Sequence, residues 1–66
     1  MSNSNYVHLE EVNILRETDK AFKIEHDGDH YWIPFSQVAN PGDYHEGDEG
    51  VTLSITEWIA EQKGLA

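Results

Sequence analysis

The chain has 66 residues, with 13 acidic and 4 basic side chains, a formal net charge of −9 and no cysteine. It can form neither disulfides nor thiolate metal sites, and its length fits one small domain near the lower limit for a stable core. The negative charge opposes direct binding to phosphate backbones and favours partners with basic surfaces. The alternative is that the charge only keeps the protein soluble, since many small soluble proteins are acidic. No apolar run approaches the roughly 18 residues that span a bilayer, and the polar start lacks signal-peptide features, so we expect a cytoplasmic protein without a membrane partner.

The first elements are a short tail and a long, bent strand. Residues 1–5 are small and polar, so we expect a disordered N-terminal tail there and a single domain over residues 6–66. Apolar residues alternate from Tyr6 to Leu15, but the phase of the alternation changes at Glu10-Glu11. Because one extra residue in a strand produces such a change, the pattern predicts a β-bulge near Glu10.

The next stretch, from Lys20 to Phe35, is typical of a β-hairpin around which the rest of the chain packs. Asp27-Gly28 lies between two alternating runs, as a type I′ turn requires, since both central residues need a positive φ. The resulting register pairs His26 with Asp29. Alternation then assigns one set of side chains to the core face, namely Phe22, Ile24, Tyr31, Ile33 and Phe35. The opposite face carries Lys23, Glu25, His30 and Trp32.

Trp32 is the apolar member of that opposite face. We expect another element to cover its indole, because a tryptophan in a small domain is usually needed for burial. The alternative is an exposed indole that forms a cation–π pair with Lys23.

After the hairpin the pattern becomes less regular. Pro34 marks a strand end because proline cannot donate to a ladder, and Ser36-Gln37-Val38 is typical of one helical turn with Ser36 as its cap. Residues 43–50 are expected to form an exposed loop with four carboxylates, those of Asp43, Glu46, Asp48 and Glu49.

The C-terminal part predicts a fourth strand over Val51–Ile55 and a short helix over Thr56–Lys63. Either Ser54 or Thr56 caps this helix, and Gly64 ends it in a left-handed conformation. The helical period places Trp58, Ile59 and Gln62 on one side with Ile55, and Glu57 and Glu61 on another.

These elements together predict a mainly β fold with a short C-terminal helix. We expect a small four- to five-stranded SH3-like or OB-like barrel or a strongly bent antiparallel sheet, because the first strand is long and bulged. A flat sheet with one helix across it is the alternative.

Three segments resemble a known group of proteins. They are Glu17–Ala21, Trp32-Ile33-Pro34 with Ser36-Gln37, and Trp58–Glu61 with Lys63-Gly64-Leu65, and Gly28 belongs to the same pattern. Over residues 17–65 the chain is similar to small acidic phage- and prophage-encoded proteins of unknown function. The resemblance implies a phage origin and no defined activity. The chain departs from that group at Phe35, where those proteins more often have a lysine.

The sequence offers little for metal binding or catalysis. His26 and His30 are ligand types that suit zinc, but the predicted register places them on opposite faces of the hairpin. Residues 43–49 lack the ligand spacing of an EF-hand, and the chain has no nucleophile-elbow motif and no glycine-rich phosphate loop. We therefore expect no metal site, no cofactor and no catalytic residue, and we predict that the protein is not an enzyme.

The first functional hypothesis is a phage-encoded interaction protein that presents carboxylates where DNA presents phosphates. Such a DNA mimic occupies the basic surface of a host DNA- or RNA-binding protein and inhibits it, as an anti-CRISPR or anti-restriction protein does. The predicted partner-binding residues are Asp27, Asp29, Trp32, Asp43, Glu46, Asp48, Glu49, Glu57 and Glu61. Further acidic candidates are Glu10, Glu11, Glu17 and Asp19.

The second hypothesis is a barrel that binds single-stranded nucleic acid by stacking bases on aromatic side chains beside a basic strip. Its candidate residues are Tyr31, Trp32 and Tyr44 for stacking and Arg16, Lys20 and Lys23 for phosphates. The net charge opposes this hypothesis. A structural accessory module, or one that forms a homodimer, is a third alternative.

Overall fold

The computed structural model describes residues 5–65 of the chain. In order, the strands and helix of this part are β1 (Tyr6–Glu17), β2 (Ala21–His26), β3 (Asp29–Pro34), β4 (Val51–Thr56) and α1 (Glu57–Gln62). Single 3-10 turns at Phe35–Gln37 and Pro41–Asp43 lie between β3 and β4. The predicted N-terminal tail falls mostly on residues 1–4, outside the described residues, and the Asn5 carbonyl accepts a hydrogen bond from the Glu57 amide at 2.9 Å.

The four strands form one antiparallel sheet in the order β3-β2-β1-β4. The prediction of a mainly β fold with a short C-terminal helix is therefore confirmed. The sheet is open, because β3 and β4 lie at its two opposite edges, so it is not a closed barrel. β1 is the shared strand, since its first half pairs with β4 and its second half pairs with β2.

Two bulges interrupt the long strand β1. Its register with β4 moves from Leu9 opposite Leu53 to Val12 opposite Val51, which leaves one extra residue at Glu10-Glu11, and Glu11 has a φ of 57°. The bulge predicted near Glu10 is confirmed. A second irregularity in the pairing with β2, at Leu15, was not visible in the pattern of the sequence. Bulges bend a strand, so one strand can pair with different neighbours along its length.

The hairpin of β2 and β3 has the predicted turn and register. Asp27 and Gly28 have φ values of 55° and 83°, as a type I′ turn requires, and His26 pairs with Asp29. The pairing extends beyond the strands, where the Phe35 amide donates to the Lys20 carbonyl at 2.8 Å. The local signal of Asp-Gly between alternating runs was therefore sufficient to predict this unit.

The core lies on one face of the bent sheet, under α1 and the segment that follows β3. Phe22 is completely buried and packs against the rings of Phe35 and Tyr44, with centroid distances of 4.6 and 6.3 Å. The buried apolar residues are Leu9, Val12, Ile14, Phe22, Ile24, Ile33, Val38, Leu53, Ile55, Ile59 and Ala60.

Both ends of α1 have specific hydrogen bonds. The Thr56 hydroxyl accepts from the Ile59 amide at 3.2 Å, so Thr56 and not Ser54 is the cap. Gly64 has a φ of 74°, and the amides of Gly64 and Leu65 donate to the carbonyls of Glu61 and Ala60 at 3.2 and 2.7 Å. These two bonds form a Schellman motif, which confirms the predicted left-handed end of the helix.

Three local predictions are wrong. Ser36 is not a cap, because the 3-10 turn begins after Pro34 and has no side-chain capping bond. Trp32 is 45% exposed and not covered, since the apolar residues that follow β3 pack into the core on the other face. Trp58 is 59% exposed and does not share the buried side of α1, which consists of Ile59 and Ala60.

Candidate partner-binding surfaces

The acidic loop that precedes β4 is attached to β1 through its backbone. The Gly47 amide donates to the Ile14 carbonyl, and the Ile14 amide donates to the Asp48 carbonyl, each at 2.8 Å. The loop thus continues, along the second half of β1, the pairing that β4 makes with its first half. The side chains of this loop are mostly exposed, as predicted, but its backbone has a defined position.

Acidic side chains reinforce this attachment. The Glu17 amide donates to Glu46 Oε1 at 3.0 Å, and the Glu46 amide donates to Glu17 Oε1 at 3.2 Å. Within the loop, Asp48 Oδ2 accepts from the His45 amide at 2.9 Å, as short polar side chains commonly do in turns. Three carboxylates of the acidic chain therefore have specific backbone partners.

We call the surface formed by Glu11, Glu17, Glu46, Asp48 and Glu49 the acidic edge. Glu11 belongs to it because its Oε1 lies 3.9 Å from the position that a Cβ on Gly50 would occupy, next to Glu49. His45 lies beside it, with Nδ1 at 3.9 Å from Glu17 Oε1. Like charges on one surface repel, and the backbone hydrogen bonds of Glu17 and Glu46 oppose that repulsion.

The other predicted acidic residues lie on different elements. Asp27 and Asp29 flank the hairpin turn, Asp43 ends a 3-10 turn, and Glu57 and Glu61 lie on α1. The structure therefore places three of the predicted loop carboxylates along β1, with Glu17 beside Glu46 and Glu11 beside Gly50, but it distributes the rest over the molecule. The remaining candidates, which are also exposed, are Glu10 and Asp19.

The hairpin tip concentrates negative charge next to two ring side chains. Burial, together with the charges of Asp29 and Asp27, raises the pKa of Tyr31 above its ordinary value of 10.0. His26 Nε2 lies 3.4 Å from Asp27 Oδ2, while His26 Nδ1 is buried without a hydrogen-bond partner among the described residues. Within residues 5–65, no three side chains of His, Asp or Glu are arranged to hold a metal ion.

A short basic row crosses the sheet face opposite the core. Arg16 pairs with Lys23 and Lys23 pairs with Trp32, so these three residues lie side by side on β1, β2 and β3. We call them the cationic row. Arg16 is exposed, Lys23 is half-buried and Trp32 is 45% exposed. The row is opposite in charge to the acidic edge.

The other aromatic candidates for base stacking do not join this row. Tyr44 packs against Phe22 and its hydroxyl donates to the Thr52 carbonyl at 2.8 Å. Tyr31 is partly buried against the core, on the face that alternation predicted. Lys20 lies at the end of the hairpin, opposite Phe35.

Trp58 is a candidate that sequence reasoning missed. The helical period predicts Trp58 on the apolar side, but Ile59 and Ala60 form the buried side of α1 and Trp58 is exposed. Trp58, Ile59 and Ala60 are three consecutive apolar residues, so the local sequence does not show which of them is exposed, and the packing of α1 on the core decides it. Glu57 and Glu61 are exposed on the same short helix.

Comparisons with protein-family models, curated proteins and solved structures found no match for this chain. In the described part of the chain, α1 is too short to cross a bilayer as a helix. The function proposed below therefore rests on the geometry and charge of these surfaces and, for the phage origin, on the sequence resemblance.

Proposed function

We propose that this protein is a phage-encoded acidic inhibitor that binds the basic nucleic-acid-binding surface of a host protein in place of DNA. The observation that supports this most directly is the acidic edge. It contains five of the 13 acidic residues, and the loop that carries three of them is attached to β1 by backbone hydrogen bonds at Ile14. The proposed partners of the protein are nucleases, CRISPR effectors, restriction enzymes or polymerases of the host cytoplasm.

The proposed mechanism has two steps. The net charge of −9 attracts a basic partner at long range, and the carboxylates then pair with its arginine and lysine side chains. Glu17 and Glu46 are held by reciprocal backbone bonds, so less side-chain entropy is lost on binding than for free carboxylates. Binding should therefore weaken steeply as salt increases.

The test is an affinity pull-down from host lysate at low and moderate salt. The edge variant carries Glu46→Gln, Asp48→Asn and Glu49→Gln, which remove charge but keep an oxygen that can accept the bonds at Glu46 and Asp48. The control variant carries Asp19→Asn, Asp27→Asn and Asp29→Asn, which remove the same charge outside the acidic edge. We expect a nucleic-acid enzyme to be retained by the parent and the control, released by salt, and lost with the edge variant.

A competition measurement completes this test. The retained enzyme should lose its DNA substrate when the parent protein is added, and the edge variant should displace DNA much less. The proposal would be contradicted if the parent protein retained no such enzyme, or if the edge and control variants retained it equally.

A second candidate function is binding of single-stranded nucleic acid. The observation that favours it is the cationic row, because an exposed indole beside Lys23, with Arg16 one strand further along, suits a base and its phosphates. In a Trp58→Phe variant, oligodeoxythymidylate at low salt should then quench Trp32 emission, and Lys23→Gln should weaken binding more than the charge-matched Lys63→Gln. The DNA-mimic proposal predicts no quenching in this experiment.

A further inference from the structure

The exposed side of α1 combines a tryptophan with two carboxylates. Trp58 is the most exposed of the large apolar side chains in the described residues, at 59%. At 100° per residue, Glu57, Trp58 and Glu61 lie on the side of the helix opposite the buried pair Ile59-Ala60. Trp58 and Glu61 are three positions apart, and such residues are neighbours on a helix surface.

This side of α1 has a fixed position. Thr56 caps the helix, the Schellman motif closes it, and the Asn5 carbonyl accepts the Glu57 amide. Ile59 and Ala60 attach the helix to the core. The backbone at Trp58 is therefore ordered before a partner binds, so less backbone entropy is lost on binding.

The two exposed tryptophans have neighbours of opposite charge. Trp32 lies beside Lys23 in the cationic row, whereas Trp58 is three positions from Glu61 on α1 and shares the exposed side of the helix with Glu57. An indole face attracts cations, and nearby carboxylates add to that attraction, while a neighbouring lysine opposes it. The charge around Trp58 is thus complementary to a cationic ligand.

We propose that Glu57, Trp58 and Glu61 bind an arginine-rich segment of the basic partner. A guanidinium group stacks on the Trp58 indole while its N–H groups donate to the Glu57 or Glu61 carboxylate. Arginine is favoured over lysine because its planar group stacks on aromatic rings and binds carboxylates through two parallel hydrogen bonds. This inference rests on the proposed function, which supplies a basic partner, and it names a contact point separate from the acidic edge.

The experiment uses the emission of Trp58 as a local probe. The chain has two tryptophans, so Trp32→Phe leaves Trp58 as the sole one. This variant is titrated at low salt with an oligoarginine peptide and with an oligolysine peptide of the same length. We expect the oligoarginine peptide to change the Trp58 emission and to bind several-fold more tightly than the oligolysine peptide.

Charge variants test whether the neighbouring carboxylates take part. Glu57→Gln with Glu61→Gln should weaken oligoarginine binding about fivefold, the factor expected from two exposed ion pairs. Asp27→Asn with Asp29→Asn removes the same charge at the hairpin tip and should change the affinity less than about twofold. Any of three results would overturn the inference. The Trp58 emission does not respond to oligoarginine, the two double variants have equal effects, or oligolysine binds as tightly as oligoarginine.

A Trp58→Ala variant in the lysate pull-down separates this inference from the proposed function. Because Trp58 is largely exposed, the variant should retain the fold, which far-UV circular dichroism checks. Reduced retention of the captured enzyme supports the inference. Retention that depends on the acidic edge but not on Trp58 leaves the proposed function standing and refutes the role of this helix face.

Discussion

The bonds of Thr56 allow a quantitative prediction about how α1 is held. Its hydroxyl accepts from the Ile59 amide at 3.2 Å and donates to Gln37 Oε1 at 2.6 Å. Loss of an N-cap costs about 1 kcal/mol, and loss of a partly buried hydrogen bond costs about 1 kcal/mol more. Thr56→Ala should therefore lower the free energy of unfolding by about 2 kcal/mol, a large fraction of the total for a chain of 66 residues.

The measurement is reversible unfolding by heat and by urea, followed by circular dichroism. A loss of about 2 kcal/mol lowers Tm by about 8 to 16 °C in a domain of this size. Thr56→Ser is the matched control, because it keeps the hydroxyl and both hydrogen bonds. It should retain nearly all of the stability.

A double-mutant cycle with Gln37→Ala isolates the bond between the two side chains. Gln37→Ala should cost about 1 kcal/mol, since Thr56 can still cap the helix, and the cycle should give a coupling of about 1 kcal/mol. If Thr56→Ser destabilises as much as Thr56→Ala, or if the coupling is close to zero, the assignment of these bonds to helix stability is refuted.

Three further predictions concern the hairpin, the charge and the pH. Gly28→Val should lower the free energy of unfolding by about 1–2 kcal/mol, because Gly28 has a φ of 83° that valine rarely adopts. Gly42→Val should cost much less, because Gly42 has no positive φ. Equal melting temperatures of the two variants would contradict the assignment of the turn at Asp27-Gly28. Moderate salt should raise Tm by screening the net charge of −9, and an unchanged or lower Tm would count against repulsion in the fold. The folded chain holds the Tyr31 proton more tightly than the unfolded chain does, so the contribution of Tyr31 to stability should be constant below about pH 10 and fall above it. Tyr31→Phe should flatten that fall in urea midpoints measured between about pH 9 and about pH 11, and an equally steep fall in this variant would exclude Tyr31 as its cause.

The sequence by itself determined the elements whose causes are local. Asp27-Gly28 specifies the hairpin because few other residue pairs adopt positive φ at both turn positions. Gly64 ends the helix for the same conformational reason, and the change of phase at Glu10-Glu11 reveals the first bulge. Each of these signals involves residues within a few positions of one another, so no knowledge of the packed chain was required.

Only the tertiary structure decided which surfaces exist. The attachment of the acidic loop to Ile14 joins residues more than 30 positions apart through backbone groups, which every sequence has, so residue types do not signal it. The exposure of Trp32 and Trp58 likewise depends on which faces other segments cover. Each element buries only one of its faces in the core. Phe22 and Ile59 lie on the buried faces, whereas both tryptophans lie on exposed faces. The charges were evident from composition, but their grouping into an acidic edge required the fold.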